Sequence, residues 1–188
     1  MTYDLVRWGF GLLLFIILAV TICLITKKKG NLQIGKTIII SAFTSIIIAA
    51  ALLLFPVENL FFSFKSVEDA YKYKHHEDLI TYGLSEQGAL CIGQKNDGSF
   101  VCYSIIKEGD KYMLPGGVDE DIRHRSSHYG YFLIKNFGQK TVIITQVSGC
   151  AYKEQDFVAL DNGFFYAEID SPFLENHLTN NGERIVLV

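Results

Sequence analysis

Residues 8–26 read WGFGLLLFIILAVTICLIT, and in this run from Trp8 to Thr26 the only ionisable side chain is the Cys23 thiol. A helix of that length, rising about 1.5 Å per residue, comes close to the roughly 30 Å of hydrocarbon in a bilayer, so the run reads as a membrane span. A second uncharged run, TIIISAFTSIIIAAALLLF from Thr37 to Phe55, reads the same way, with Ser41, Thr44 and Ser45 able to bond back to their own helix. Its Ala42, Ser45 and Ala49 form a small-residue stripe suited to close approach of the first helix. The expectation is a two-helix transmembrane hairpin over residues 1–56, with helices at about 8–26 and 37–55 and a loop at 27–36.

The lysines orient it, because basic residues collect on the cytoplasmic side. The connection holds Lys27, Lys28, Lys29 and Lys36, whereas the N-terminal flank offers only Arg7 and the first base after the second run is Lys65. The loop is therefore expected in the cytoplasm, with the N-terminus and everything beyond Pro56 outside it, in a multi-pass protein of the plasma membrane. Trp8, Phe55, Phe61 and Phe62 then fall where aromatic belts form. A cleaved signal peptide would carry its bases before the apolar stretch and small residues at its end, but this run ends on Leu24, Ile25, Thr26 and three lysines. A lipoprotein signal is disfavoured by Ile22, which stands directly before Cys23.

Beyond Pro56 the composition changes to that of a globular domain, expected over residues 57–188, and this length suits one core rather than two. The segment holds twelve Lys plus Arg against nineteen Asp plus Glu, a formal charge of −7. That field repels nucleic acid and anionic lipid headgroups alike. No Asn-x-Ser/Thr acceptor occurs in the chain, in keeping with a bacterial surface.

Ser66 followed by Glu68 and Asp69 has the form of a helix N-cap with acids against the positive end of the dipole, which predicts a short helix from about Val67 to Lys74. Its Val67, Ala70, Tyr71 and Lys74 share one face, suited to lie on a sheet. Period-two alternation then predicts strands at 79–84, 89–94, 100–106, 112–114, 131–136, 141–147, 157–160, 164–169 and 184–188. Asn96-Asp97-Gly98 and Asp161-Asn162-Gly163 sit between such runs as hairpin turns. The fold class expected is an α+β, mainly antiparallel β domain with one short N-terminal helix.

Candidate chemistry is sparse. Folding the first hairpin about Asn96 and Asp97 would place Cys91 opposite Cys102 and make a cross-strand disulfide conceivable, whereas a one-residue bulge at Gly98 would shift the register; buried, reduced thiols are the simpler alternative. His124 and His128 stand four apart after Asp119, Glu120 and Asp121, a spacing that on a helix would suit zinc. Arg123 and Arg125 oppose a cation there, and a solvated loop accounts for the same residues. His75 and His76 beside Glu77 and Asp78 repeat the pattern more weakly. Cys150 would be a thiol nucleophile only if His124 or His128 lay beside it; a buried structural cysteine is the competing account. No phosphate loop, serine elbow or telling carboxylate pair is present, and neither a cofactor nor a metal is expected.

Aromatics such as Tyr129, Tyr131, Phe132 and the run Phe164-Phe165-Tyr166 would, by alternation, place some rings on an exposed sheet face. The functional expectation is a membrane-anchored, extracytoplasmic binding or accessory module, with the lipid bilayer and a peptide, glycan or neighbouring membrane or envelope protein as partners. The alternative is an extracytoplasmic enzyme using a Cys/His pair or a metal-bound histidine pair. These predict opposite surroundings for Cys150: hydrogen-bond reach of a histidine in a cleft, or an apolar packing site.

Overall fold

The computed structural model describes residues 2–28, 34–54, 56–116 and 122–188. The chain divides into two compact units, residues 1–61 and 62–188.

In the first unit, helix α1 runs Thr2–Lys28 and helix α2 runs Ile34–Leu54, followed by a 3-10 turn at Val57–Leu60. Within α1 the segment Leu5–Ile25 has a mean hydropathy of 2.7 over 21 residues, long and apolar enough to cross a membrane. Among the described residues it is the one helix that qualifies: the apolar part of α2, Ile39–Leu52, is shorter than a span. An apolar N-terminal helix is thus established, and the expected second span is not. Hydroxyls inside the helices are satisfied locally, Thr21 Oγ1 donating to Ile17 O at 2.7 Å, Thr44 Oγ1 to Ile40 O at 2.8 Å and Ser45 Oγ to Ser41 O at 2.7 Å.

The two helices approach at Gly11, where an added Cβ would stand 3.0 Å from Leu52 Cδ1. Ala42, read as part of a packing stripe, is exposed instead. Arg7 fastens the same end: its Nη2 donates to Leu52 O, and its Nε lies 3.1 Å from Oε1 of the buried Glu58. The guanidinium also sits 5.0 Å from the Tyr3 ring centroid. Two charges removed from water hold only when paired, so this contact ties the start of α1 to the residues after α2.

The second unit begins with helix α3, Val67–Lys74, with Ser66 as N-cap: its side chain accepts from the Asp69 amide at 3.1 Å. Glu68 and Asp69 occupy the first turn and Lys72 and Lys74 the last, each sign against the favourable end of the dipole. Among the described residues thirteen strands follow: β1 Asp78–Ser85, β2 Gly88–Gln94, β3 Phe100–Glu108, β4 Lys111–Met113, β5 Ile122–Ser126, β6 Tyr131–Asn136, β7 Lys140–Thr145, β8 Cys150–Tyr152, β9 Gln155–Asp156, β10 Val158–Ala159, β11 Phe165–Asp170, β12 Leu178–Asn180 and β13 Glu183–Arg184. They form three antiparallel sheets in the orders β1-β2-β3-β4, β10-β11-β7-β6-β5 and β13-β12-β8-β9. The mainly antiparallel domain with one short helix is as the alternation predicts.

The layering explains why β2 and β7 are buried nearly throughout instead of alternating. Leu90 and Ile92 of the first sheet pack with Val142 and Ile144 of the second, and Phe164 belongs to the same cluster. The opposite face of the second sheet supplies Phe132, Ile134, Ile143 and Ala167 to a larger core closed by Tyr152, Leu178, Ile185 and Leu187. Close approach of the first two sheets requires Gly83, where a Cβ would meet Tyr166 Cδ2 at 3.0 Å and Val142 Cγ1 at 3.1 Å. On its outer face the first sheet receives α3, whose Val67, Ala70 and Tyr71 are buried.

The Asn96-Asp97-Gly98 turn differs by one residue from the register expected. Gly98 adopts φ +82°, its amide donates to Lys95 O at 2.9 Å, and Lys95 N donates to Ser99 O at 2.9 Å, so three residues rather than two form the loop. Cys91 therefore pairs with Tyr103 and Cys102 with Ile92. The two thiols point to opposite faces of the ladder, and both are free.

Candidate functional site

Cys150 opens β8 and packs in the larger core beside Phe132, Tyr152 and Leu178. Its polar neighbour is Asn180, whose Nδ2 is 3.8 Å from Sγ and donates to Ser148 O at 2.6 Å. Burial pushes the thiol's pKa up, the Asn180 hydrogen bond only partly offsetting it, which is the wrong direction for a nucleophile at neutral pH. His124 lies exposed on β5 and His128 exposed in the turn after it, its ring tilted against that of Tyr129 with centroids 3.8 Å apart. Because residues 122–126 form a strand, the helical spacing that would have aligned the two imidazoles does not arise. Asp119, Glu120 and Asp121 lie outside the described residues. Among the described residues no three His, Cys, Asp or Glu side chains converge as a metal would require.

The other histidine pair is committed locally. His75 caps the C-terminus of α3, stacks on Tyr103 with ring centroids 3.5 Å apart, and Tyr103 Oη donates to Glu77 Oε1 at 3.2 Å. Tyr129 Oη likewise donates to Glu183 at 2.7 Å, and Phe132 is fully buried, so the aromatics named from sequence divide between core, clamp and surface. Tyr131, at 78% exposure, is the most open of them.

What the fold leaves unsatisfied is a strand edge. Of the six strands that end the three sheets, β1 has eight residues, β5 five, β4 three, and β9, β10 and β13 two each. Edge β4 is covered where Phe64 and Tyr112 exchange backbone bonds, and β5 is covered at Ser126 by Val188. Among the described residues strand β1 is covered only at Ile80, and it lacks the lysines and prolines that usually blunt an edge. A bulge at Ile80, whose carbonyl accepts from Asn162 Nδ2 at 3.2 Å, occupies its first third. Beyond it Thr81–Ser85 pairs with β2 alone. The hairpin closes at the Ser85–Gly88 pair, so antiparallel alternation turns the N–H and C=O of Tyr82 and Leu84 outward, away from β2.

Along this edge runs a groove of about 470 Å³, lined by Glu68 of α3, by Leu79, Tyr82 and Leu84 of β1, and by Asp161 and Tyr166 from across the sheet interface. Leu84 is 41% exposed. Tyr82 Oη donates to Glu68 Oε1 at 2.5 Å. That bond, ahead of the smaller contributions, lowers the Glu68 pKa below its ordinary 4.5 and pushes Tyr82 up to about 12, so the groove keeps an ionised carboxylate at neutral pH. The arrangement offers backbone donors and acceptors, apolar side chains and negative charge in one row. A wider cleft of about 660 Å³ beside Tyr152, Lys153 and Gln155 lacks this character, since its Lys140 and Asp170 pair with each other at 2.8 Å.

No protein-family model matches the chain, and no similar curated protein or solved structure is found. The alternation of Leu79 to Leu84 identified β1 as a strand, but nothing local in it marks an edge. The absence of lysine and proline between Asp78 and Ser85 is the one signal in the sequence that bears on it.

Proposed function

We propose that this chain is a membrane-anchored, extracytoplasmic binding or accessory module of a plasma membrane, and that its recognition site is the groove along β1. The single observation that carries the reading is a five-residue stretch of sheet edge, Thr81–Ser85, open among the described residues beside apolar and acidic side chains. Further support comes from Cys150, which is packed among apolar side chains with Asn180 as its polar contact. In this reading both apolar runs cross the bilayer, with the lysine-rich loop at 27–36 in the cytoplasm and the N-terminus and C-terminal domain outside. The uncharged sequence of Thr37 to Phe55 and the Arg7 contacts with Leu52 and Glu58 favour it.

Complementation of a deletion strain tests the functional reading. Cys150→Ala, His124→Ala and His128→Ala, present at normal folded levels, are expected to restore the wild-type phenotype, whereas Leu84→Lys at the open edge is expected to fail. Loss of function in Cys150→Ala or His124→Ala, with Leu84→Lys silent, would replace this reading by the enzyme one.

A further inference from the structure

We infer that the occupant of the β1 groove is an extended, cationic peptide segment of another protein, which adds to the first sheet as a strand beyond β1; this rests on the groove being the binding site. Three observations select this occupant over a glycan or a second copy of the chain. The free groups are backbone amides and carbonyls in strand geometry, and the partner that satisfies a row of them at a repeat of about 3.4 Å per residue is another extended backbone. Thr81–Ser85 supplies five residues of such edge, about 17 Å at that rise. The charged residues that line it are of one sign: Glu68 and Asp161 line the groove and no lysine or arginine does, while Asp78 opens β1 and Lys72 of α3 stands outside the lining.

A second copy would set one acidic rim against another, so that edge-to-edge pairing of β1 with itself is opposed by like charge. An incoming strand sends alternate side chains to opposite faces of the edge, so its Lys or Arg residues on the α3 side meet Glu68 while the intervening apolar residues face Tyr166 on the other. Ionised Glu68 is held in place by Tyr82 Oη, which donates to its Oε1. Strand addition gives affinity through the main chain and specificity through alternate side chains, which suits a site whose sequence readout is chiefly electrostatic.

The test uses the full chain in nanodiscs of uncharged lipid and end-blocked, fluorescein-labelled nine-residue peptides, read by anisotropy at low salt. One alternates lysine with valine, a second has glutamate for lysine, and a third is the lysine peptide N-methylated at its five central amides. The lysine peptide is expected to bind at least tenfold more tightly than either of the others. Glu68→Gln with Asp161→Asn, which keeps the shapes and the Tyr82 acceptor, should cut the preference for lysine over glutamate at least threefold. Leu84→Pro, which removes an outward N–H, should weaken binding tenfold. Equal binding of the N-methylated peptide overturns strand addition, and equal binding of the glutamate peptide overturns the cationic partner. If no peptide binds while Leu84→Lys still fails to complement, this inference falls and the groove remains a binding site. If Leu84→Lys complements fully, the groove itself is refuted.

Discussion

Replacing Gly93 by alanine probes how α3 is seated on the first sheet. An added Cβ at position 93 would lie 1.9 Å from Tyr71 Oη, 3.1 Å from Tyr71 Cζ and 3.3 Å from Val101 Cγ2. Tyr71 is fully buried and its hydroxyl has no hydrogen-bond partner, so the ring cannot retreat toward solvent without lifting α3. Overpacking of this kind costs about 1–3 kcal/mol, and a strand glycine exchanged for alanine returns about 0.5–1 kcal/mol of backbone entropy. Gly93→Ala is therefore expected to destabilise the domain by about 1–2 kcal/mol. In a Tyr71→Phe background the clashing atom is gone, and the remaining contacts need shifts of only a few tenths of an ångström. There the same substitution should be neutral, giving a coupling of about 1–2 kcal/mol in a double-mutant cycle. Tyr71→Phe alone deletes a buried hydroxyl that lacks a partner, so it should be neutral or stabilising by up to about 1 kcal/mol. Urea unfolding of the full chain in detergent, followed by near-UV circular dichroism, measures all four corners. An equal cost of Gly93→Ala in both backgrounds would refute the seating of Tyr71 over Gly93.

Intact mass of the native protein should show no pair of hydrogens missing, and alkylation should reach Cys102, partly buried and raised by that burial to about 11, before the fully buried Cys91. A Cys91–Cys102 bridge would contradict the observed register. Tyr82→Phe should cost about 1 kcal/mol at neutral pH, because exposure brings this bond to a charged acceptor below the roughly 1.5–3 kcal/mol of its class. Because Glu68 has a lowered pKa in the folded state, this contribution is complete above its ordinary 4.5 and fades as pH falls through the folded value. Wild type and Tyr82→Phe should thus converge in stability in acid, and a gap unchanged from pH 7 to pH 3 would dismiss the role of the bond. In whole cells, cysteine probes near Gly30 should label only from the cytoplasm and probes near Asn162 only from outside, and the reverse sidedness would overturn the proposed topology.

Much of the β domain could be read from pattern because alternation is a local property. The strands expected at 79–84, 89–94, 100–106 and 131–136 match β1, β2, β3 and β6 closely, and the Ser66 cap and its helix appear as the spacing requires. The missed strands have reasons. Strand β5, IRHRS, is a polar edge whose charges read as a loop, and β8, β9 and β12 are two or three residues long, too short for a period to register. A signal for the last sheet was nonetheless present: Asn181 and Gly182 adopt φ +48° and +85° in the turn joining β12 to β13, the dipeptide that a two-residue hairpin favours.

By itself the sequence determined that an apolar N-terminal helix precedes an acidic, antiparallel β domain, because hydrophobic runs, alternation and net charge are additive along the chain. The tertiary structure alone decided the three-sheet layering, the one-residue shift that parts Cys91 from Cys102, the burial of Cys150 in the larger core, and the open stretch of the β1 edge. Each of these depends on which distant segment covers a given face or edge. A strand's own residues give its period, but whether its outer amides meet a neighbour is settled by the path of the rest of the chain.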